Sequence, residues 1–374
     1  MMTKTSTEIQ NDIYQFIQTY ATTDDQQLSE SDFNQVALDL FDYQFKNNLP
    51  YKRYAQSQRK SPLIVNNWQS IPLMPIQGYK QLTLSTMPVQ KDEPVFMSSG
   101  TTDPNHRSYN YHPSFKVWDA SMKYPFKQFV LPDRDKMTIL GLFPGEKTNS
   151  NSSLSRYVTK AIDFFGDDKS GIFIDENGMD YQGIVGALKD AERQGRPVML
   201  LGASFSYVHL LDYLNEQKLT FKLPGDSRLF DTGGFKGQSR SVDAQDLFDA
   251  IKNTFNIDRD HYINMYGMTE ISSQCYDQNL VRLYHHLPLD YTKAAPAWVR
   301  VRILSTDTLQ PVESGHAGLI AYYDLANWNS CVAILTEDMG IQDENGFKVL
   351  GRVQGAEAKG CSIAVDQLLH AKAD

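Results

Sequence analysis

The chain has 374 residues, enough for about two domains at ~150 residues each. Hydrophobic residues make up 41% and aromatic residues 11%, values that support a packed core and exclude disorder, collagen and small disulfide scaffolds. Against 45 acidic side chains there are 36 basic ones, and the net charge of −9 is the wrong sign for a nucleic-acid binder and a poor basis for polybasic docking on an anionic membrane.

The N-terminal sequence MMTKTSTEIQNDIYQF lacks the apolar core of a signal peptide, and no stretch approaches the ~20 apolar residues of a membrane span. Cysteine is scarce and odd in number (Cys275, Cys331, Cys361), which argues for a reducing compartment and against a disulfide framework. The expectation is a soluble cytoplasmic protein.

In chain order, Ile9, Ile13, Phe16, Ile17 and Tyr20 fall on one helical face. Phe33, Val36, Ala37, Leu40, Phe41 and Phe45 repeat the pattern, with Ser29 or Ser31 as candidate N-cap. Five prolines between 61 and 94 predict an extended connector over a surface. Strands are expected at Met137–Leu142, Gly171–Ile174, Val198–Leu201, Arg228–Phe230 and Tyr262–Met265. Helices are expected at Ser155–Phe165, Gln182–Gln194, Ser204–Asn215 and Ala244–Phe255. That alternation predicts an α/β fold with a largely parallel sheet. Val299–Leu304, Leu319–Tyr323 and Cys331–Leu335 follow as strands without long helices between them, a smaller antiparallel portion. The expected division is 1–94 for N-terminal helices and connector, 95–350 for the core, and 351–374 for a short C-terminal arm.

Five short motifs are candidates for chemistry. Ser98-Ser99-Gly100-Thr101-Thr102 sets small hydroxyl residues around a glycine, a way to turn N–H and O–H groups onto one anion. On its own it reads equally well as an ordinary turn. Tyr266-Gly267-Met268-Thr269-Glu270 follows a predicted strand, where ligands of α/β sheets tend to bind. Its Thr suits a phosphate and its Glu a Mg²⁺ ion. Thr336-Glu337-Asp338-Met339-Gly340 follows Cys331–Leu335 and places Asp338 at an expected strand end, suited to a ribose diol. Gly351-Arg352 precedes Lys359-Gly360-Cys361-Ser362, and Thr232-Gly233-Gly234-Phe235-Lys236-Gly237 is glycine-rich with an aromatic. Singly, each is weak.

In order and spacing they resemble the adenylate-forming superfamily of acyl-CoA synthetases and adenylation domains. Ser98–Thr102 matches the start of its phosphate loop, and His112 falls twelve residues after the loop glycine. Tyr266–Glu270 matches the YGxTE motif, Asp338 the aspartate of the TGD motif, and Arg352 the hinge-side arginine. Within the superfamily the chain resembles the LuxE-type acyl-protein synthetases over nearly its whole length. Leu40–Phe45, Pro50–Arg53, Ile71-Pro72 and Tyr79-Lys80 look like that family's N-terminal signature, and Cys361 stands where its acylated cysteine lies. The loop departs from the pattern at Asp103, and His106 with Arg107 stands where a lysine is usual. The superfamily's catalytic lysine belongs to a C-terminal domain expected here to be reduced to the short arm; Lys236, Lys359 and Arg107 are candidates for its charge.

The resemblance implies ATP and Mg²⁺ as cofactors, a fatty acid as substrate and an acyl reductase as partner protein. It implies that Ser98, Ser99, Gly100, Thr101 and Thr102 hold the β- and γ-phosphates, Thr269 the α-phosphate, Glu270 the metal and Asp338 the ribose. Gly233, Gly234, Tyr266 and Gly267 would flank adenine, and Cys361, ionised with help from Lys359, would take the acyl group. Cys275 is the runner-up acceptor; Cys331 reads as structural. An acyl-CoA or aryl-CoA ligase, and a non-catalytic nucleotide-binding or scaffold subunit, are the alternatives. Gly141–Thr148 mimics a Walker loop with the wrong spacing, and His285-His286 reads as a surface pair.

Overall fold

Runs of apolar residues with no polar alternation suit strands covered on both faces, the signature of a parallel sheet between helices. The computed structural model describes residues 4–21, 29–98, 107–233 and 243–353. It divides into two compact units: Met1–Tyr124 with Met268–Cys275 and Thr292–Asp374, and Pro125–Gly267 with Tyr276–Tyr291.

The second unit carries the parallel sheet. Its strands run in the order Tyr262–Tyr266, Arg228–Asp231, Val198–Gly202, Thr138–Leu142, Gly171–Ile172. Neighbours are in parallel register, for example Leu140 beside Leu200 and Leu200 beside Leu229. Helices Ser153–Phe165, Tyr181–Gln194, Ser204–Glu216 and Ala244–Phe255 connect or follow them. Strands Thr138–Leu142 and Val198–Gly202 are buried along their whole length, so the continuous apolar pattern marked them correctly. Leu140, Leu200 and Leu229 pack with Leu188, Leu210, Ile251 and Phe255 from the helices in one core. The polar run at 148–153 ends in a cap: Ser152 accepts from the Ser155 N–H and starts the helix Ser153–Phe165.

The first unit holds an antiparallel sheet in the order Val299–Leu304, Ala317–Asp324, Ala333–Asp343, Gly346–Arg352, Lys293–Ala294. Two amphipathic helices, Ser6–Ala21 and Glu30–Asn47, bury Ile13, Phe16, Ile17, Phe33, Leu40 and Phe41, and Ser29 caps the second. Between 61 and 94 the chain is less uniformly extended than its prolines predict. It forms a turn of 3₁₀ helix at Trp68–Ser70, a strand Met74–Pro75 parallel to Ala333–Asp343, and a short helix Gly78–Gln81. Pro75 is tolerated because this strand pairs on one side only within its sheet. Helices Leu49–Ser57 and Lys116–Pro125 escaped the periodicity reading; the first opens with Pro50 under an Asn48 cap, the second closes on Pro125.

Among the described residues no helix is long and apolar enough to cross a membrane.

Candidate active site

A hairpin supports the hydroxyl-rich loop. Val95–Met97 pairs antiparallel with Tyr109–Tyr111, and Ser98 and Ser108 close the pair just beyond it. Ser98 N–H donates to the Ser108 carbonyl at 3.1 Å, and Ser108 N–H donates to Ser98 Oγ at 2.9 Å. Ser98 therefore fixes the base of the loop. Ser99, Gly100, Thr101, Thr102, Asp103 and His106 lie outside the described residues.

Two residues along the hairpin from Ser108, Asn110 reaches across to the YGxTE segment. Its Nδ2 donates to the Thr269 carbonyl at 3.1 Å. Glu270 is buried at 5% exposure, and its carbonyl accepts from Asn327 Nδ2 at 2.9 Å. Ser272 and Ser273, just after it, hang on one carboxylate. Asp324 Oδ2 accepts the N–H of Ser272 and of Ser273 at 2.9 and 2.8 Å, and Oδ1 accepts Ser273 Oγ–H at 2.7 Å and Ala326 N–H at 2.9 Å. Trp298 Nε1 donates to Ser273 Oγ, and Ser121 Oγ to the Ser272 carbonyl. Asp324 is fully buried, and burial pushes its carboxyl up to about 6 against those hydrogen bonds.

The Asp338 strand is braced by neighbouring residues of the same unit. Gln77 donates to the Glu337 carboxylate, while Tyr79, two residues on, accepts from the Asn327 amide that also holds the Glu270 carbonyl. Asn329 ties the hairpin to this web by donating to the Tyr111 carbonyl at 3.0 Å. The base of the phosphate-type loop, the Thr269-Glu270 turn and the Asp338 strand thus share one hydrogen-bonded support.

Asp338 does not end a strand as expected. The strand runs on through Ala333–Asp343, and its polar second half follows from burial falling away after Thr336. Asp338 pairs in register with Arg352, and Met339 with Gly351, so two motifs that are apart in sequence face each other. The Arg352 Nε to Asp338 Oδ1 distance is 3.9 Å with Arg352 mostly exposed, a weak contact. Both motif glycines have local reasons. A Cβ on Gly340 would come within 2.9 Å of Ile320 and of the Lys348 carbonyl, and Gly351 has φ of +107°.

His112 is buried in an aromatic group, its ring 4.7 Å from Phe96 and 5.6 Å from Phe115, centroid to centroid.

In the parallel-sheet unit, Tyr266 ends its strand at 8% exposure and Gly267 follows. Asp231 ends the adjacent strand and is buried. It accepts from Ser204 Oγ at 2.9 Å, Tyr262 OH at 2.8 Å and Gly233 N–H at 2.9 Å. The glycine-rich loop therefore leaves from an anchored carboxylate at the carboxyl edge of the sheet, with Gly233 at φ +71°. Gly234 and Lys236 lie outside the described residues, as do Lys359 and Cys361.

The surroundings of the runner-up acceptor disfavour a thiolate. Cys275 is fully buried, burial pushes its thiol up to about 12, and Tyr322 OH lies 3.2 Å from Sγ. A thiol that stays protonated is a poor nucleophile. Cys331 is fully buried and likewise raised, as a structural cysteine should be. The Walker-like stretch is tied up internally: Glu146 pairs with Arg156 at 2.5 Å. Among the described residues no group of three or more His, Cys, Asp or Glu could hold a metal ion. A single carboxylate such as that of Glu270 could serve an ion like Mg²⁺, which keeps several waters and shares substrate phosphates.

Sequence reasoning missed Asn110, Asp324 and Asn327. None belongs to a motif that suggests a role, and only the topology brings each to the segment 269–273.

The acyl-protein synthetase LuxE family model matches residues 3–370. A long-chain-fatty-acid–luciferin-component ligase of Vibrio harveyi is 22% identical over 342 residues, covering 89% of this chain and 87% of its own. The enzyme of the same description from Aliivibrio fischeri is 22% identical over 348 residues, covering 90% and 88%. Among solved structures, a 2-hydroxyisobutyryl-CoA ligase in an open conformation superposes with a TM-score of 0.61 at 12% identity, over 86% of this chain and 75% of that one. That likeness establishes the adenylate-forming ligase fold.

Proposed function

Because the chain belongs to the LuxE family of acyl-protein synthetases, we propose that it activates a long-chain fatty acid with ATP and passes the acyl group to Cys361. The observation that carries this reading is the shared support under Ser98, Thr269-Glu270 and Asp338. The two curated relatives, both described as long-chain-fatty-acid–luciferin-component ligases, support the substrate class.

In the first step a carboxylate oxygen attacks the α-phosphorus of ATP. The bond to the β-phosphate oxygen breaks and pyrophosphate leaves. A carboxylate is a poor electrophile, and this step gives it a phosphate leaving group. Positioning and charge stabilisation dominate such transfers. The loop 98–102 would hold the β- and γ-phosphates, with Thr269 on the α-phosphate and Asp338 on the ribose. Glu270 would hold Mg²⁺, which supplies neutralising charge when bound. In the second step the Cys361 thiolate attacks the acyl carbonyl, the carbon–oxygen bond to AMP breaks, and a thioester forms. A downstream acyl reductase is the proposed consumer. The roles of Gly233, Gly234, Tyr266 and Gly267 around adenine, of His112 near the reacting groups, of Arg352 beside Asp338 and of Lys359 beside the thiol rest on sequence resemblance.

ATP–pyrophosphate exchange stimulated by fatty acid tests the first step. Labelled acyl transfer to the chain tests the second; it should vanish in Cys361→Ser while exchange persists. Exchange that leads only to a CoA thioester would favour an acyl-CoA ligase instead.

A further inference from the structure

The surface just after the helix Leu49–Ser57 combines two features that ordinary solvated turns do not share. The first is apolar exposure. Leu63 is 95% exposed and Ile64 61%, side by side. The turn that carries them is well held: Lys60 N–H donates to the Ala55 carbonyl at 2.9 Å, and both Ile64 and Val65 N–H donate to the Ser61 carbonyl. Val65 and Trp68 are buried immediately after it. The fold thus fixes the backbone and leaves two branched aliphatic side chains outside.

The second feature is charge. Between residues 43 and 90 there are six Lys or Arg and no Asp or Glu, in a chain of net charge −9. Four of the six, Lys52, Arg53, Arg59 and Lys60, fall within the helix and the turn. Lys46 is paired with Asp42 at 2.6 Å, and Lys52 lies over the Phe45 ring. Arg53, Arg59 and Lys60 have no ion pair among the described residues. Cations favour a helix C-terminus, which accounts for Arg59 and Lys60 in part. It gives no reason for Leu63 and Ile64.

We propose that the turn 59–64 is a docking wedge for an anionic lipid bilayer, with Leu63 and Ile64 entering the acyl region and Arg53, Arg59 and Lys60 on headgroup phosphates. A lipid surface fits better than a folded partner. A stable protein interface needs ~800 Å² of matched surface on each side, whereas two projecting side chains with cations in the adjoining helix and turn need only a fluid one. The overall negative charge does not prevent this. Screening over ~8 Å at physiological salt leaves the local sign to decide. The inference does not depend on the ligase reading.

The test is co-sedimentation of the full chain with vesicles of phosphatidylcholine alone and of phosphatidylcholine mixed with phosphatidylglycerol. Binding is expected only to the mixed vesicles, and weaker at high salt. Each basic residue near an anionic surface is worth roughly fivefold in partitioning, so R59E/K60E should lower binding at least ~25-fold. L63S/I64S should lower it at every salt concentration, and both variants should keep the parent's circular dichroism because none of the four side chains is buried. A Leu63→Trp variant should show fluorescence quenching by brominated acyl chains beyond that of the parent. Equal binding by parent and variants, no binding to anionic vesicles, or no added quenching would overturn the proposal.

Discussion

Asp324 accepts the Ser273 N–H through Oδ2 at 2.8 Å and the Ser273 hydroxyl through Oδ1 at 2.7 Å. With Ser272 on the same carboxylate, a buried charge takes the place of the water that the turn after Glu270 would otherwise bind. Asp324→Ala leaves those two buried N–H groups without an acceptor, at ~1–3 kcal/mol each. We expect a loss of at least ~2 kcal/mol in urea unfolding, and a rise in the Mg²⁺ concentration needed for exchange. Asp324→Asn, which keeps one acceptor, should recover part of both.

The same carboxyl sets a pH dependence. Burial raises it from the ordinary 3.8 to about 6. Between those values the folded chain holds a proton that the unfolded chain has released. Its contribution to stability is therefore fully present below 3.8 and declines as pH rises to about 6, with a slope of up to about one proton. Unfolding free energies measured across this window should lose that slope in Asp324→Asn. An unchanged slope would assign the titration to another group.

Asn110 links the loop hairpin to Thr269 through a single hydrogen bond. Asn110→Ala should cost ~1 kcal/mol of stability. It should raise KM for ATP in the exchange reaction more than it lowers kcat, since positioning of the phosphates is what it supports. Equal KM in the variant and the parent would remove Asn110 from the account.

Arg228 is fully buried, donating to Asp133 at 2.6 Å and to the Val130 carbonyl at 2.6 Å. Burial alone would raise the Asp133 carboxyl, but the hydrogen bonds and charges of Arg228 and Arg134 outweigh it and hold the group below its usual range. That stabilisation is present above the ordinary carboxylate value and is lost as pH falls through the lowered one. Arg228→Met leaves Asp133 only Arg134 as its cation and takes the donor from the Val130 carbonyl, and should destabilise the parallel-sheet unit by ~1–3 kcal/mol in chemical unfolding. A cost below ~1 kcal/mol would mean that the pair is already dispensable.

Much of the fold was legible because burial writes itself into sequence. Residues 139–142 and Val198–Gly202 are apolar throughout since both faces are covered, and Leu188, Leu210 and Ile251 keep the helical period because one face meets the sheet. Asp338 was misplaced for the opposite reason. Where a strand leaves the core it may carry any polar residue, and Thr-Glu-Asp then looks like a turn. The site was legible only where chemistry imposes a local motif, as at Ser98 or Thr269-Glu270. Its supports were not: Asn110 and Thr269 are 159 residues apart, and Asp324 and Ser273 are 51 apart. No local pattern encodes a hydrogen bond closed by topology.

Cysteine chemistry offers the most direct test. Cys275 and Cys331 are buried with raised thiols, so neither should react with iodoacetamide in the native fold. Intact-mass measurement after incubation with ATP, Mg²⁺ and a series of fatty acids, followed by peptide mapping, decides the central claim. The account expects one acyl group per chain, dependent on ATP, sensitive to hydroxylamine and mapped to Cys361. An acyl group on Cys275, or none with any fatty acid while ATP is present, would contradict it.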